Sequence, residues 1–381
     1  MVYLDNSATT RQLDEVTKAM MENAQCDYGN PSSLHRMGLK AEKSVKQARE
    51  QVTREIGDGF QLYFTGSGTE ADNIAILGGV SANRKKGNKV ITSKAEHPAV
   101  LESFKALEEM GLQVTYLDVD AFGKIDLDQL QSELNQETIF VSLMLVNNEL
   151  GTIQPIEEVC RLIRQYDKIV FHTDAVQAFG KMKMRSLSSV DMVTVSGHKI
   201  HGPKGIGALA LKKDVKLKSP VYGGGQESGI RSGTENVPGI VGFGLAAEKA
   251  YEEFSEHIQE QSRVRKYLMD GILIEIGDVR INSPEEKDCI SSILNVSFLG
   301  TRGEVLLHML EEKEIFVSTG SACSSKKRGE SHVLKAAGLS PSEIEGAIRF
   351  SFSRFNTIDE MDYVLSELKK AVRDIRKIMK R

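Results

Sequence analysis

The fold is decided by two stretches, IVFHTDAVQ at residues 169–177 and MVTVSGHK at residues 192–199. Each begins with a short apolar run, which predicts a strand that is buried on both faces. Each run then ends in polar residues of the kinds that bind ligands. Since open α/β sheets bind ligands at the carboxyl ends of their parallel strands, the two stretches predict an α/β protein with a site at that edge.

Similar apolar runs recur between residues 60 and 211, separated by stretches with helical periodicity. The predicted strands are Phe60–Phe64, Lys89–Thr92, Val114–Leu117, Ile139–Val146, Ile169–His172, Met192–Val195 and Ile206–Leu211. Such alternation favours a mostly parallel, seven-stranded sheet with flanking helices. A long amphipathic helix before the sheet is predicted from apolar residues three or four positions apart, Ala41, Val45, Ala48, Val52 and Ile56.

The texture of the sequence changes after about residue 250. A charged helical stretch from Glu248 to Ile274, alternating residues near 293–297 and an amphipathic stretch over Asp359–Met379 predict a smaller α+β domain. The expected domains are a large α/β domain over residues 12–250 and a small domain made of residues 1–11 and 251–381, with a mobile loop at about 318–332.

Charge and cysteine content exclude several classes of protein. Lys plus Arg number 49 against 53 Asp plus Glu, so the net charge of -4 disfavours binding to nucleic acid or to an anionic membrane. No run of 18 apolar residues and no secretion signal are visible. The 4 cysteines show no CxxC spacing, which argues against a disulfide framework or a zinc site. A cytoplasmic location is therefore expected.

The stretch FTGSGTEADN at residues 64–73 follows a predicted strand and opens a helix. Backbone N–H groups at a helix N-terminus favour an anion, so this turn can hold a phosphate. Gly66, Gly68 and Ala71 also match the dinucleotide-binding pattern, but Glu96, about 25 positions later, lies in a loop rather than at a strand end. A plain turn, a dinucleotide site and a monophosphate site remain alternatives at this point.

Lys199 directly follows an apolar strand among glycines and hydroxyl-bearing residues. Partial desolvation in a cleft lowers the pKa of such an amine and makes it a nucleophile toward carbonyls, although a solvated lysine is the alternative. His198 and His201 could instead form an HxxH metal pair, but no third ligand is evident nearby. Asp174, at another strand end, is either a helix N-cap or the carboxylate that pyridoxal phosphate needs against its ring nitrogen.

Nine short segments resemble those of cysteine desulfurases of the NifS/IscS type, in the same order along essentially the whole chain. They are DNSATT (5–10), GNPSS (29–33), TEADN (69–73), EHPAV (96–100), NNELG (147–151), TDAVQ (173–177), SGHK (196–199), RSGT (231–234) and GSAC (320–323). The resemblance implies fold-type I of the pyridoxal phosphate enzymes, a homodimer, L-cysteine as sulfur donor and no metal.

The resemblance also implies roles for individual residues. Lys199 matches the lysine that carries the cofactor and acts as general base, and His97 matches the histidine stacked on its ring. Asn148 and Arg349 match the residues that hold the substrate carboxylate. The residues implied in cofactor binding are Gly68, Thr69, His97, Asn148, Asp174 (ring nitrogen), Gln177 (ring hydroxyl), Ser196, His198, Lys199 and, from the other subunit, Thr234.

Cys323 is the implied acceptor of the sulfur, as a persulfide. Nearby Lys326, Lys327 and Arg328 favour its thiolate, although an ordinary loop thiol is the alternative for a cysteine taken alone. The seven residues between Cys323 and Ser331 resemble the long-loop class. The sulfur is then expected to pass to an acceptor protein, either a scaffold for iron-sulfur cluster assembly or a tRNA thiotransferase. Alternatives are a selenocysteine lyase or aminotransferase on the same scaffold, and a nucleotide-binding oxidoreductase.

Overall fold

The computed structural model describes residues 1–252, 254–319 and 330–379. The strands are β1 (Val2–Tyr3), β2 (Phe60–Thr65), β3 (Lys89–Ser93), β4 (Gln113–Leu117), β5 (Thr138–Ser142), β6 (Val170–Asp174), β7 (Met192–Ser196), β8 (Gly207–Lys212), β9 (Val279–Ile281), β10 (Ile293–Phe298), β11 (Ile315–Phe316) and β12 (Ala347–Ser351). The helices are α1 (Asp14–Cys26), α2 (Arg36–Ile56), α3 (Gly68–Asn73), α4 (Gly79–Asn83), α5 (Pro98–Glu109), α6 (Leu127–Glu133), α7 (Ile156–Ile163), α8 (Val237–Tyr251), α9 (Phe254–Glu275), α10 (Gly303–Glu311), α11 (His332–Ala336), α12 (Pro341–Glu345) and α13 (Ile358–Met379).

A seven-stranded sheet lies at the centre, in the order β2-β8-β7-β6-β5-β3-β4. Only β8 runs against the others in it, because β8 pairs antiparallel with both β2 and β7 while the remaining pairs are parallel. The predicted mostly parallel sheet with flanking helices is confirmed. The carboxyl ends of β2, β3, β5, β6 and β7 consequently meet at one edge of the sheet.

The structure corrects two predicted boundaries. The strand predicted over Ile139–Val146 ends at Ser142. The residues that follow it are buried and apolar although they lie outside the strand, so an apolar run does not mark where the strand ends. The charged helix predicted from Glu248 to Ile274 is instead two helices, α8 and α9. Glu252 takes an extended backbone there, with φ of -64° and ψ of 134°.

The amphipathic helices form as their periodicity predicts. In α2 the buried residues follow the predicted three- and four-residue spacing, and this face packs against α8. The terminal helix α13 likewise turns its apolar face inward, against α9 and α10. Both helices therefore cover apolar surface of the protein. No helix within the described residues is long and apolar enough to cross a membrane.

The first and last parts of the chain meet beside the central sheet. Strand β1 pairs parallel with β11, and Asp5 forms a bridge with Ser351 at the end of β12. Strand β12 belongs to a three-stranded antiparallel sheet with β10 and β9. Leu4 and the strands of this small sheet share one apolar core with α9 and α13. This packing brings the residues that follow β1 to the edge where the parallel strands end.

Candidate active site

A cavity of about 220 Å³ lies at the carboxyl ends of the parallel strands. Its lining consists of Ser7, Ala8, Ser67, Gly68, Thr69, Asp72, His97, Met144, Asn148, Asp174, Val176, Gln177, Ser196, His198, Lys199 and Arg349. Apart from Thr234 and Cys323, the lining contains every residue that the sequence predicts for the site. Thr234 is exposed and lies outside the cavity of this chain. Cys323 lies outside the described residues.

Lys199 is positioned by a tight turn and by the N-terminal segment. It ends the 3-10 turn Gly197–Lys199, which begins directly after β7. Its Nζ donates to the carbonyl oxygens of Ala8, at 2.8 Å, and of Ser7. The backbone N–H of Thr10 donates to the carbonyl of His198 at 3.0 Å, which holds the N-terminal segment against the turn. The amine is thus oriented by two carbonyl groups inside the cavity.

His97 faces the cavity as a neutral ring with a defined tautomer. It is the N-cap of α5, and its Nδ1 accepts a hydrogen bond from the backbone N–H of Ala99 at 3.2 Å. Burial, with smaller effects of Lys199 and His332, lowers the pKa of His97 to about 4. A neutral ring whose Nδ1 accepts carries its proton on Nε2. His97 can therefore present a flat apolar ring and an N–H donor, but not a cation.

Two buried carboxyl groups lie close together below the cavity. Burial raises the pKa of Asp174 to about 6, although the N–H of Val176, donating to Oδ1 at 2.9 Å, and Lys199 both oppose that rise. Burial and the nearby Asp174 raise the pKa of Asp72 well above its ordinary value. Asp72 Oδ1 lies 3.6 Å from Nε2 of His172, a ring that burial keeps neutral by lowering its pKa to about 3. Asp174 is therefore the carboxyl group more easily ionised of the two.

Arg349 brings the small antiparallel sheet to the site. It lies on β12 and is 3% exposed. Its two terminal nitrogens donate to Asp5 Oδ1 at 2.8 Å and to the carbonyl of Asn148 at 2.9 Å. A planar guanidinium held in this way offers a paired set of donors to a carboxylate.

The glycine-rich turn at residues 64–73, for which a phosphate site is one of the predictions, also lines the cavity. Gly68 begins α3, and the side chain of the N-cap Ser67 accepts from the N–H of Glu70 at 3.1 Å. A Cβ on Gly68 would lie 3.0 Å from Cγ2 of Val176, so the turn needs a residue without a side chain there. Ser196 and His198 line the same cavity from the end of β7.

Four polar atoms of the lining are buried without a hydrogen-bond partner in the described residues. They are Ser7 Oγ, Asp72 Oδ1, Asn148 Oδ1 and Arg349 Nε. Unpaired buried polar atoms are costly, which indicates that a polar ligand supplies their partners. A carboxyl group, an amine-bearing turn, a flat neutral ring and a phosphate-sized turn around one cavity fit pyridoxal phosphate. The site thus supports a pyridine cofactor better than a dinucleotide, which would need an acidic residue at the next strand end.

The HxxH reading of His198 and His201 is not supported by their positions. His198 lines the cavity, whereas Nδ1 of His201 lies 2.8 Å from the carbonyl of Arg11 and its ring lines a separate cavity behind Lys199. Among the described residues, a group able to offer three ligand atoms to a metal is Asp72, His97 and Asp174. His97 and Asp174 of that group are residues that the sequence predicts to contact the cofactor ring, and all three line the cavity.

Sequence reasoning named no site role for six lining residues: Ser7, Ala8, Ser67, Asp72, Met144 and Val176. The signal for all of them except Met144 was present, since they lie inside the quoted stretches at residues 5–10, 64–73 and 173–177. Met144 belongs to an apolar run that reads as a buried strand, and no residue pattern separates it from its neighbours. Met144 lines the cavity because β5 ends two residues before it, at Ser142, and the sequence does not show that end.

The chain is similar to known proteins over nearly its whole length. The family model for aminotransferase class-V matches residues 2–364. A cysteine desulfurase IscS of Clostridium botulinum is 42% identical over 380 residues, which covers 99% of this chain and 96% of that protein. A cysteine desulfurase IscS of Methanosarcina thermophila is 42% identical over 378 residues, with 98% and 93% covered.

Solved structures are similar over the whole fold as well. A NifS-like protein superposes with a TM-score of 0.90 at 37% identity and covers 98% of this chain and 99% of its own. A structure described as SspA in complex with cysteine has a TM-score of 0.80 at 34% identity, with 94% and 100% covered.

Proposed function

Since the chain belongs to the class-V aminotransferase family of pyridoxal phosphate enzymes and is a cysteine desulfurase, we propose that the cavity around Lys199 converts L-cysteine to L-alanine. The observation that carries the assignment of residues is the meeting of Lys199, His97 and Asp174 in one cavity at the strand ends. Asp174 ends β6, Lys199 follows β7 and His97 follows β3, so the parallel order of these strands brings the three side chains to one edge of the sheet.

Pyridoxal phosphate, when bound, supplies a ring that takes up the electron pair released at the substrate α-carbon. Lys199 would hold it covalently, His97 would stack on its ring, and Asp174 would accept a hydrogen bond from its ring nitrogen. Gln177 would meet the ring hydroxyl. Gly68, Thr69, Ser196 and His198 would hold the phosphate through backbone and side-chain donors, together with Thr234 of the partner subunit.

Lys199 Nζ would also move the substrate α-proton. The carbonyls of Ser7 and Ala8 orient the amine within the cavity. General base catalysis requires a group held within hydrogen-bond reach of the proton that it removes. Asn148 and Arg349 would bind the substrate carboxylate, and the donors of Arg349 are held in place by Asp5 and by the Asn148 carbonyl.

Cys323 would accept the sulfur: its thiolate would attack the substrate sulfur and form a sulfur-sulfur bond. The electron pair of the breaking carbon-sulfur bond would stay with the β-carbon, which would take up a proton, so that alanine and a Cys323 persulfide result. The chain on either side supports its access to the site. Ser318 pairs through its backbone with Arg349, and Ser331 Oγ donates to Glu149 Oε2 at 2.5 Å. Both contacts lie beside the cavity, since Arg349 and the neighbour of Glu149, Asn148, line it.

The described cysteines are poor candidates for the same role. Burial raises the pKa of Cys160 to about 11, and burial likewise raises the pKa of Cys289, so both are neutral thiols. Cys26 is exposed at the end of α1. None of these three residues lines the cavity.

The proposed assembly is a homodimer. Exposed Thr234 supports it, because this residue can serve the site only from a second copy of the chain. Large apolar side chains on the surface support it as well, namely Tyr28, Leu34, Leu39 and Tyr222. We further propose a cytoplasmic enzyme that passes sulfur to a cluster scaffold or a tRNA thiotransferase, without direct contact with nucleic acid.

The proposed domains are residues 12–250 on one side and residues 1–11 with 251–381 on the other. The separate apolar core around Leu4, α9 and α13 supports this division. Ile290 and Ile293, however, pack into the core of the large sheet, so the two parts share a junction there.

Replacing Cys323 tests the sulfur step. Cys323→Ser should retain the visible absorption of the bound cofactor but lose alanine and sulfide production from cysteine by more than about 100-fold, because a hydroxyl is a poor acceptor of sulfur. Cys26→Ser is the matched control and should keep full turnover. Full turnover in Cys323→Ser would disprove the role of this thiol.

A further inference from the structure

A second buried lysine, Lys181, lies behind the cofactor cavity. It follows Gln177 by four residues in the turn after β6 and is 9% exposed. It lines a separate small cavity of about 40 Å³, which Lys199 also lines. Neither the sequence segments nor the proposed reaction assigns it a role.

Lys181 determines how the side-chain amide of Gln177 is oriented. Its Nζ donates to Gln177 Oε1 at 2.8 Å, and Gln177 Nε2 donates to the carbonyl of Ser7 at 2.9 Å. An ammonium group has donors only, so the atom of Gln177 that it meets must be the oxygen. The amide nitrogen keeps a second hydrogen, and Gln177 lines the cofactor cavity. Gln177 therefore offers a donor to that cavity rather than an acceptor.

Among the described residues that line the small cavity, none carries a negative charge that could balance Lys181. The other titratable or charged residues that line the small cavity are Lys199, His201, His257 and Arg354, and no described residue of that lining is a carboxylate. On the cofactor side, Arg349 is a further cation that acts on it. Burial first, and then Lys199 and Arg349, lower the pKa of Lys181 to about 7. A buried amine in such a setting is costly unless a bound ligand supplies negative charge.

We propose that Lys181 is a positioning residue for the cofactor: it locks the Gln177 amide so that Nε2 donates to the oxygen on the pyridine ring. This inference rests on the proposed function, because it needs a hydroxyl-bearing ring in the cavity. Lys181 itself touches neither cofactor nor substrate. Lys181, Gln177, the Ser7 carbonyl and Lys199 form one hydrogen-bonded chain, so the two lysines are joined through the shared carbonyl.

A double-mutant cycle tests the proposal, with the dissociation constant of pyridoxal phosphate from the apoprotein as the readout. Lys181→Met keeps the aliphatic part of the side chain and removes the donor, so that only the Ser7 carbonyl still orients the Gln177 amide. We expect binding to weaken by about tenfold, the usual effect of one hydrogen bond to a charged group. In the Gln177→Met background the same substitution should have no further effect, because the amide through which it acts is absent.

Lys183→Met is the matched control, since this lysine is exposed two residues further along and lines neither of the two cavities. It should change binding by less than twofold. If Lys181→Met does not fold, Lys181→Gln completes the cycle. Wild-type affinity, or losses that add in the double variant, would overturn the positioning role. Failure of the wild-type protein to bind the cofactor would instead contradict the proposed function.

Discussion

The active site and its surroundings have an acidic side and a basic side, and burial acts on the two in opposite directions. It disfavours negative charge on the acidic side and positive charge on the basic side. On the acidic side, burial raises the pKa of Asp174 to about 6 and that of Glu96 to about 8. On the basic side, burial lowers the pKa of His97 and of His198 to about 4, and that of Lys181 to about 7. One physical cause, the loss of water, thus moves both sides toward their neutral forms.

The two sides also differ in the backbone groups that face them. The carboxyl groups of Glu96 and Asp174 accept backbone N–H groups, from Met144 and Val176. Lys199 is held by carbonyl oxygens instead. Backbone donors therefore face the carboxyl groups, and backbone acceptors face the amine. A bound ligand that carries both charges would favour the ionised forms of these side chains. A ring with a protonated nitrogen and an anionic substituent would complete both sides.

The largest effect is expected on the basic side. Lys199→Ala should abolish the visible absorption of the bound cofactor and lower desulfurase turnover by about 10⁴-fold or more, because covalent attachment and general base are lost together. Absorption spectra and single-turnover alanine assays measure this. The exposed Lys213→Ala should leave both unchanged. An intact absorption band in Lys199→Ala would refute the assignment.

The acidic side should separate into one essential and one auxiliary carboxyl group. Asp174→Asn should reduce turnover by about 10² to 10³-fold, because a neutral amide cannot keep the ring nitrogen protonated. Asp72→Asn should lower turnover by less than about tenfold, because burial raises the pKa of Asp72 and so favours its protonated form, which an amide resembles. Steady-state turnover of the two variants measures this difference. Equal losses of turnover would contradict the prediction that Asp174 matters more than Asp72.

Arg349 should affect substrate binding more than the chemical step. Arg349→Lys keeps the charge but loses the paired donors, so KM for cysteine should rise by about 10-fold to 100-fold, with a smaller change in kcat. Arg280→Lys, at an arginine that pairs with Glu343 at 2.7 Å outside the cavity, is the control and should leave KM unchanged. A fall in kcat with KM unaltered would remove Arg349 from the substrate site.

The last expected effect is on the pH dependence of stability rather than on turnover. The folded-state pKa of Glu96, about 8, lies above its ordinary value of 4.5, so Glu96 stabilises the fold below pH 4.5 and loses that contribution as pH rises toward 8. Glu96→Gln should flatten this decline in the free energy of unfolding, by up to about 5 kcal/mol. Urea denaturation across that range measures it. The exposed Glu22→Gln should keep the wild-type slope, and an equal slope in Glu96→Gln would contradict the prediction.

The sequence by itself determined the alternation of strands and helices and most of the cofactor site. Asp174, Ser196 and Lys199 follow or end apolar strands, and strand periodicity is a local property that burial imposes directly on the residue pattern. The quoted segments also held Ser7 and Asp72, although their roles were not visible in the pattern.

Which distant segments meet at that site is visible only in the tertiary structure. Residues near Asp5 reach Arg349 because β1 pairs with β11, and a pairing across more than 300 positions leaves no periodic trace in either segment. The role inferred for Lys181 depends in the same way on the direction of its side chain in a turn. Hydrogen bonds between distant parts of a chain are set by packing, and composition and spacing do not record them.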